Sequence, residues 1–375
     1  MARERTSVRA RLWQIYGPRW PWLVGLYVSL AIICGYVSWS KVVIDAKGVV
    51  YTNQDSVDLQ VGARSTNPTG LAQWPQMRSR VLLPMIIVGA KDYFGVPYRV
   101  THDGTRLLFI VLSVLVFHWH LRRWFSLLES LAGTVILLAT ITITFNNWFP
   151  IATDFPELLG MTACTVFLIR RRWTVMLVTL FFATLNRETS IGFVFVACCW
   201  LYDGKRSLPK LLVVTALIVG TWAAAYALAR VAAGVGPGSF VQEAAVRGEA
   251  GAGLVSQLVG VARDVWPRRR ASMVSLIRNP HPYNVNWSPF LVFNVFWLLP
   301  LSAWRTIPLR LRRLYIGGLI GGLPAFVLVG VLNETGRYMI PLYPWVLPAG
   351  LYVLFRHVVS SANSPTDVPE GLAAR

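Results

Sequence analysis

Residues 173–202 read WTVMLVTLFFATLNRETSIGFVFVACCWLY, thirty mostly apolar residues broken once, at Asn186-Arg187-Glu188. Thirteen residues precede the break and fourteen follow it. At about 1.5 Å per residue, neither half crosses a hydrocarbon core roughly 30 Å thick. Two short helices that rise, bend at the polar turn and return account for the pattern. Backbone that leaves the helix at such depth must lie against protein or a wet cavity. The plainest role for the turn is structural, with an Arg187–Glu188 pair closing a helical hairpin. The other is functional, since a charge at membrane depth costs at least about 2.5–3.5 kcal/mol and is kept for a reason.

The rest of the chain has the same character. Of its 375 residues 55% are hydrophobic and 14% are charged, with 16 Trp, 18 Phe and 13 Tyr, and the mean hydropathy is +0.51. Soluble domains carry roughly 25% charged residues, which excludes an ordinary cytosolic enzyme. The aromatic content excludes a disordered chain. Further apolar runs fall at about 20–40, 104–121, 127–145, 157–169, 209–229, 289–304, 314–332 and 339–355. No alternating ten-residue segments suit a barrel. The expected fold is all-α: a polytopic transmembrane helical bundle with broken and short helices, and amphipathic helices in its extracytoplasmic loops.

Three regions follow: a basic cytoplasmic N-terminus, 1–19; a multi-span domain, 20–357, with outer loops 41–103 and 230–288; and a small, polar tail, 358–375, expected to be disordered and cytoplasmic. The first run has no cleavage signature and reads as a span, not a leader. Segment 78–98, with Pro84, Lys91 and Asp92, reads as a surface or re-entrant helix.

Charge sets the orientation. With the N-terminus inside, the inner clusters are Arg122-Arg123, Arg170 to Arg172, Lys205 to Lys210, Arg305 to Arg313, and Arg356. The inner side then holds 19 of the 36 Lys and Arg but only 5 of the 17 acids. Short loops obey the positive-inside rule and the two long outer loops are exempt from it. A full crossing by 78–98 would invert everything downstream. The net charge of +19 is therefore a membrane signature, and no nucleic-acid partner is expected. The locale expected is a bacterial inner (plasma) membrane, with both termini cytoplasmic.

The outer side gathers acids and arginines from four distant segments. The first supplies Asp55 and Asp58, followed by Arg78 and Arg80 beside an apolar helix. The second, NNWFPIATDFPELLG, supplies Asp154 and Glu157, three apart and so on one helical face. Asp154 could equally cap that helix. The third is the turn with Asn186, Arg187 and Glu188. The fourth, LNETGRYMIPLYP, supplies Glu334, Arg337 and Tyr338. Carboxylates serve as bases, and arginines take up charge on a leaving phosphate. Cys34, Cys164, Cys198 and Cys199 lie in apolar runs and carry no disulfide or zinc pattern. His118 and His120 fall on different helix faces and are poor joint ligands. Loop 230–288 holds an amphipathic stretch around Leu254, Leu258 and Val261, and Arg268 to Arg270, suited to lipid phosphates.

At these motifs the sequence resembles bacterial polytopic glycosyltransferases of the GT-C type. The resemblance rests on Asp55 in the first outer loop and Arg80-Val81-Leu82-Leu83-Pro84, one residue longer than the usual stretch. It continues with Asp154 and Glu157, Arg187-Glu188-Thr189, and Arg337-Tyr338-Met339-Ile340-Pro341. It implies inverting transfer of a sugar from a polyprenyl-phosphate-linked donor to a glycan or lipid acceptor on the outer side. Asp55 would be the base and Asp58 the second choice. Arg78, Arg80, Arg187 or Arg337 would face the donor phosphate. A divalent cation held by Asp154 or Glu157 is compatible with the sequence and not required by it. The competing expectations are a lipid-linked glycan flippase or transporter, whose broken helices carry charge at depth, and a non-catalytic membrane scaffold.

Overall fold

A computed structural model describes residues 80–146, 154–202, 208–233, 295–332 and 337–359, with short pieces at 24–30, 32, 43–44, 50–51, 57–58 and 61. The N-terminus 1–19, the loop from Gly234 to 288 and the tail from Ser360 lie outside the described residues.

The described part is all-helical apart from a two-residue antiparallel ladder, β1 (Val43–Ile44) with β2 (Val50–Tyr51). Helix α1 (Leu82–Phe94) is 13 residues long, about 20 Å, as the short run at 78–98 leads one to expect. It ends because Gly95 adopts φ +68 and its N–H closes on the carbonyl of Lys91. Pro97 then starts α2 (Tyr98–Leu121). This helix begins six residues before the expected 104, which brings Arg99, His102 and Asp103 inside it. Helix α3 (Leu127–Asn146) opens with a capping box: the Ser126 N–H donates to Glu129 at 2.8 Å, and the Glu129 N–H to the Ser126 hydroxyl at 3.3 Å.

Helix α4 (Asp154–Ile169) is covered nearly all round, by α2, by α5 (Trp173–Asn186), by a 3-10 turn at Arg337–Leu342 and by α10 (Tyr343–Val353). After α5 the chain takes a 3-10 turn, Glu188–Gly192, and continues as α6 (Phe193–Leu201). Helix α7 (Leu208–Ala232) supplies a ruler for these pieces. Trp173 lies under Lys210, and Leu185 packs beside Ala229. The Glu188 carbonyl then bonds Trp222, and Cys198 meets Thr215. Helix α5 thus climbs α7 and α6 descends it, the broken hairpin expected of residues 173–202.

Helix α8 (Leu299–Ser302) has only four residues and follows a turn at 295–298. The continuous helix expected over 289–304 is therefore not formed in its described part: a new helix starts with Pro300 in its first turn and ends where Ala303 leaves helical geometry. Helix α9 (Leu309–Leu332) carries two glycine faces. Gly317 and Gly321 lie against Val196 and Gly192, while Gly318 and Gly322 lie against Trp345 and Leu342. A Cβ at any of the four would clash, so glycine alone lets α6 and α10 approach the helix this closely. The expected run 339–355 is segmented: the 3-10 turn, then α10, then a π-turn at Leu354–Val359.

The basic clusters share one end of the bundle. Arg170 stacks on Trp119, 3.8 Å from the ring centroid, and Arg356 pairs with Glu129 at 3.2 Å. Burial, and then the charge of Arg170, hold the Arg123 guanidinium below its usual pKa. Among the described residues, α2 and α7 are long and apolar enough to cross a membrane.

Candidate functional site

Asp154 is the first residue of α4 and Glu157 lies in its first turn, where the helix dipole favours negative charge. Their spacing of three puts both carboxylates on the face toward the end of α5. There Arg187 takes an extended backbone, φ −162 and ψ 132, and ends the helix. Its side chain turns into the bundle. One nitrogen, Nη1, donates at 2.7 Å to Asp154 Oδ1 and at 2.7 Å to Glu157 Oε2. All three side chains are 0% exposed. Thr189 donates its hydroxyl to Glu157 Oε1. Asp154 Oδ2 is buried with no hydrogen-bond partner among the described residues.

The neighbouring shell ties this core to three more elements. Glu188 is partly exposed, and Arg80 Nη2 approaches its carboxylate at 3.6 Å from just before α1. The Val81 N–H donates to the Leu185 carbonyl at 3.0 Å, fixing the entry to α1 against the end of α5. Trp222 Nε1 donates to the Glu188 carbonyl at 3.0 Å. Trp222 stacks on Tyr226 with ring centroids 5.2 Å apart, and Arg230 caps the column through the Tyr226 hydroxyl at 3.1 Å. Thr184 and Ser190, either side of the turn, share a hydrogen bond of 2.8 Å.

The cluster is internal to the bundle and not at its rim. Ser113, within α2, donates to the carbonyl of Phe155 at 3.1 Å, and Trp222 lies a little past the middle of α7. Asp154 and the Arg170 end stand at opposite ends of α4, about 24 Å apart by helix rise. The acids and the basic clusters therefore occupy different levels.

Arg80, Asp154, Glu157, Asn186, Arg187 and Glu188, all expected from sequence, come together here; Asn186 is fully buried beside the turn. Arg337 and Tyr338 belong to the 3-10 turn that packs on α4. Asp58 falls in a helical piece with its side chain exposed. Asp55, Arg78 and Glu334 lie outside the described residues. Arg187 is one of the four arginines that the sequence offers for the donor phosphate, and its structural alternative is a pair with Glu188, which instead meets Arg80. Fully buried and held between two carboxylates, Arg187 organises the acids. Those carboxylates are also where the sequence allows a divalent cation without requiring one, and Arg187 pairs with both of them. Among the described residues no group of three or more His, Cys, Asp or Glu could hold a metal ion.

Sequence reading missed His102 and Arg106, which are 0% and 3% exposed. With Ile110 and Ser113 they follow helical spacing along the buried face of α2. His102 joins that spacing only once the helix is extended back to Tyr98, whereas Arg106 lies inside the expected run. It also missed Trp222, which no charged residue marks within 211–229. Comparison with known families, curated proteins and solved structures finds no match.

Proposed function

We propose that the chain is a multi-pass protein of a bacterial plasma membrane, with cytoplasmic termini. We propose further that it transfers a sugar from a polyprenyl-phosphate-linked donor to a glycan or lipid acceptor on the extracytoplasmic side. The observation that carries the reading is the convergence of Arg80, Asp154, Glu157, Arg187 and Glu188, from three remote segments, on one internal site away from the basic end. A second observation supports the membrane itself. Helix α7 leaves Leu208, Leu212, Val213, Leu217, Leu228 and Val231 exposed by half or more, a surface that suits lipid and not water.

In this reading Arg187 is a positioning residue. It neutralises two carboxylates and fixes the turn that presents Glu188 and Arg80. Phosphate recognition falls to Arg80, Arg78 and Arg337, and the Trp222–Tyr226 column offers a flat face for a sugar ring. Asp55 takes the proton from the acceptor hydroxyl as its oxygen attacks the anomeric carbon. The bond from that carbon to the donor phosphate oxygen breaks, and polyprenyl phosphate leaves with the electron pair. A flippase is the second reading, favoured by the broken α5–α6 hairpin with charge at its turn.

The test uses the purified chain in lipid nanodiscs with radiolabelled polyprenyl-phosphate hexose and pentose donors and a membrane-lipid acceptor extract. Donor consumption by the wild type, lost in Asp55→Asn at unchanged yield and thermal stability, supports transfer. Unchanged turnover in Asp55→Asn removes that residue from the mechanism. Donor crossing sealed vesicles without being consumed replaces transfer by flipping.

A further inference from the structure

Helix α1 is apolar on two faces and buries one of them. Leu83 and Ile87 pack with Tyr98 and Phe109 of α2, while Met85 and Ile86 stay exposed. Tyr93 continues this second face by helical spacing, and its ring lies 3.8 Å from where a Cβ on Gly89 would stand. At the end of the helix Tyr93 is 85% and Phe94 81% exposed, more than any other large hydrophobic among the described residues. Residues 91–95 are all exposed, so the turn into α2 projects from the bundle. Val100 and Leu108 carry exposed apolar surface onto α2. The turn also has a level. Trp119 lies under Arg170 at the basic end, and the 21 residues from Tyr98 to Trp119 rise about 32 Å. That matches a hydrocarbon core roughly 30 Å thick.

We infer that this turn anchors the chain in the extracytoplasmic lipid surface, with Tyr93 and Phe94 at headgroup depth and the Met85–Ile86 face of α1 against lipid. Aromatic rings collect at that depth, where one end of the side chain is apolar and the other wet. Lys91 and Arg99 can extend to phosphate level along their apolar stems. Asp92 stands beside Lys91, and Asp103 lies 3.8 Å from Arg99, so the surface bears charges of both signs and selects no lipid charge. A projecting tip offers a partner protein no pocket of the kind that carries binding energy, whereas a lipid interface accepts it. The anchor has a consequence for the carboxylate cluster. The Val81 N–H is fixed on the Leu185 carbonyl, so α1 becomes a strut from the lipid surface to the turn that holds Arg187. Segment 78–98 then meets the outer leaflet without crossing the membrane. The inference rests on the membrane reading and not on sugar transfer.

The experiment uses the full chain with its native cysteines replaced by serine and one new cysteine at a time: Tyr93→Cys, Phe94→Cys, Val100→Cys and, near the middle of α7, Leu217→Cys as the deep reference. Each thiol is coupled to a nitrobenzoxadiazole probe and the chain is reconstituted in phosphatidylcholine vesicles. Quenching is read with a nitroxide on the lipid headgroup, with one near the end of the acyl chain, and with soluble iodide. The headgroup nitroxide should quench the probes at positions 93 and 94 at least about twice as strongly as the chain-end nitroxide, and the order should reverse at position 217. Probes reached by iodide alone would put the turn in water, and probes shielded from every quencher would put it under protein, a second copy included. Probes as deep as the reference would put it inside the core, and lipid quenching that needs added phosphatidylglycerol would make the contact an anionic-lipid site. Each of these overturns the inference. If Tyr93→Cys does not fold, Phe94→Cys and Val100→Cys decide. Wild-type chain stripped from membranes by alkaline carbonate removes the membrane reading itself, whereas a retained chain with iodide-only probes removes the anchor alone.

Discussion

The Arg187 guanidinium and the Asp154 carboxylate, 33 positions apart, are joined at 2.7 Å with neither side chain exposed, and the same nitrogen also holds Glu157. Removing one partner of such a cluster costs more than the cluster gains in forming, because the others stay buried and charged. Arg187→Ala should therefore lower stability by about 3–5 kcal/mol. Neutralising the acids as well, in Arg187→Ala with Asp154→Asn and Glu157→Gln, should recover most of the loss. Thermal unfolding in detergent reads both. A single variant as stable as the wild type would mean that water reaches the carboxylates.

The glycine faces of α9 make a prediction with its own control. A Cβ on Gly318 would come within 2.5 Å of the Trp345 side chain, and one on Gly192 within 2.8 Å of the Gly321 carbonyl oxygen. Gly220 in α7 meets nothing within 4 Å. Gly318→Ala and Gly192→Ala should each destabilise by about 1–3 kcal/mol through overpacking. Gly220→Ala should stabilise by up to about 1 kcal/mol, since alanine loses less backbone freedom in a helix. The three unfolding midpoints, measured side by side, check the ranking.

Trp222 is a lever on the turn itself. Trp222→Phe keeps the aromatic stack on Tyr226 and removes the N–H that holds the Glu188 carbonyl. The loss of about 1 kcal/mol expected for one hydrogen bond should be local. Amide exchange at residues 186–192 should quicken about fivefold, while exchange in α4 stays unchanged. Equal acceleration in both would show that the bond supports the whole bundle.

Much of this arrangement was legible in the chain. The break at Asn186-Arg187-Glu188 follows from the shortness of its two apolar halves, and the shared face of Asp154 and Glu157 from their spacing of three. What was not legible is who meets whom. Arg187 could face a phosphate or two carboxylates, and only the packing of α4 against α5 decides. The run 289–304 has the hydropathy of a span, yet its described part starts a fresh four-residue helix with Pro300 in its first turn instead of continuing one, because hydropathy does not register the backbone donor that proline removes. His102 escaped notice because apolar periodicity marks a helix only from its first apolar residue, whereas α2 starts six residues sooner.

The last prediction concerns sidedness. Helix α4 sets the Asp154 cluster about 24 Å from the Arg170 end, and short basic loops stay on the cytoplasmic face. Two positions with exposed side chains lie on the two sides in this reading: Asp58 outside and Arg172 inside. Single cysteines there, with the native cysteines replaced by serine, should be reached by a membrane-impermeant maleimide from opposite faces of sealed vesicles. Right-side-out vesicles should label Asp58→Cys at least about tenfold faster than Arg172→Cys, and inverted vesicles should reverse the order. Labelling of both from the same face would put a full crossing between Asp58 and Arg172 out of register. The site would then have to be sought on the cytoplasmic side, where a polyprenyl-phosphate donor would have to present its sugar inward.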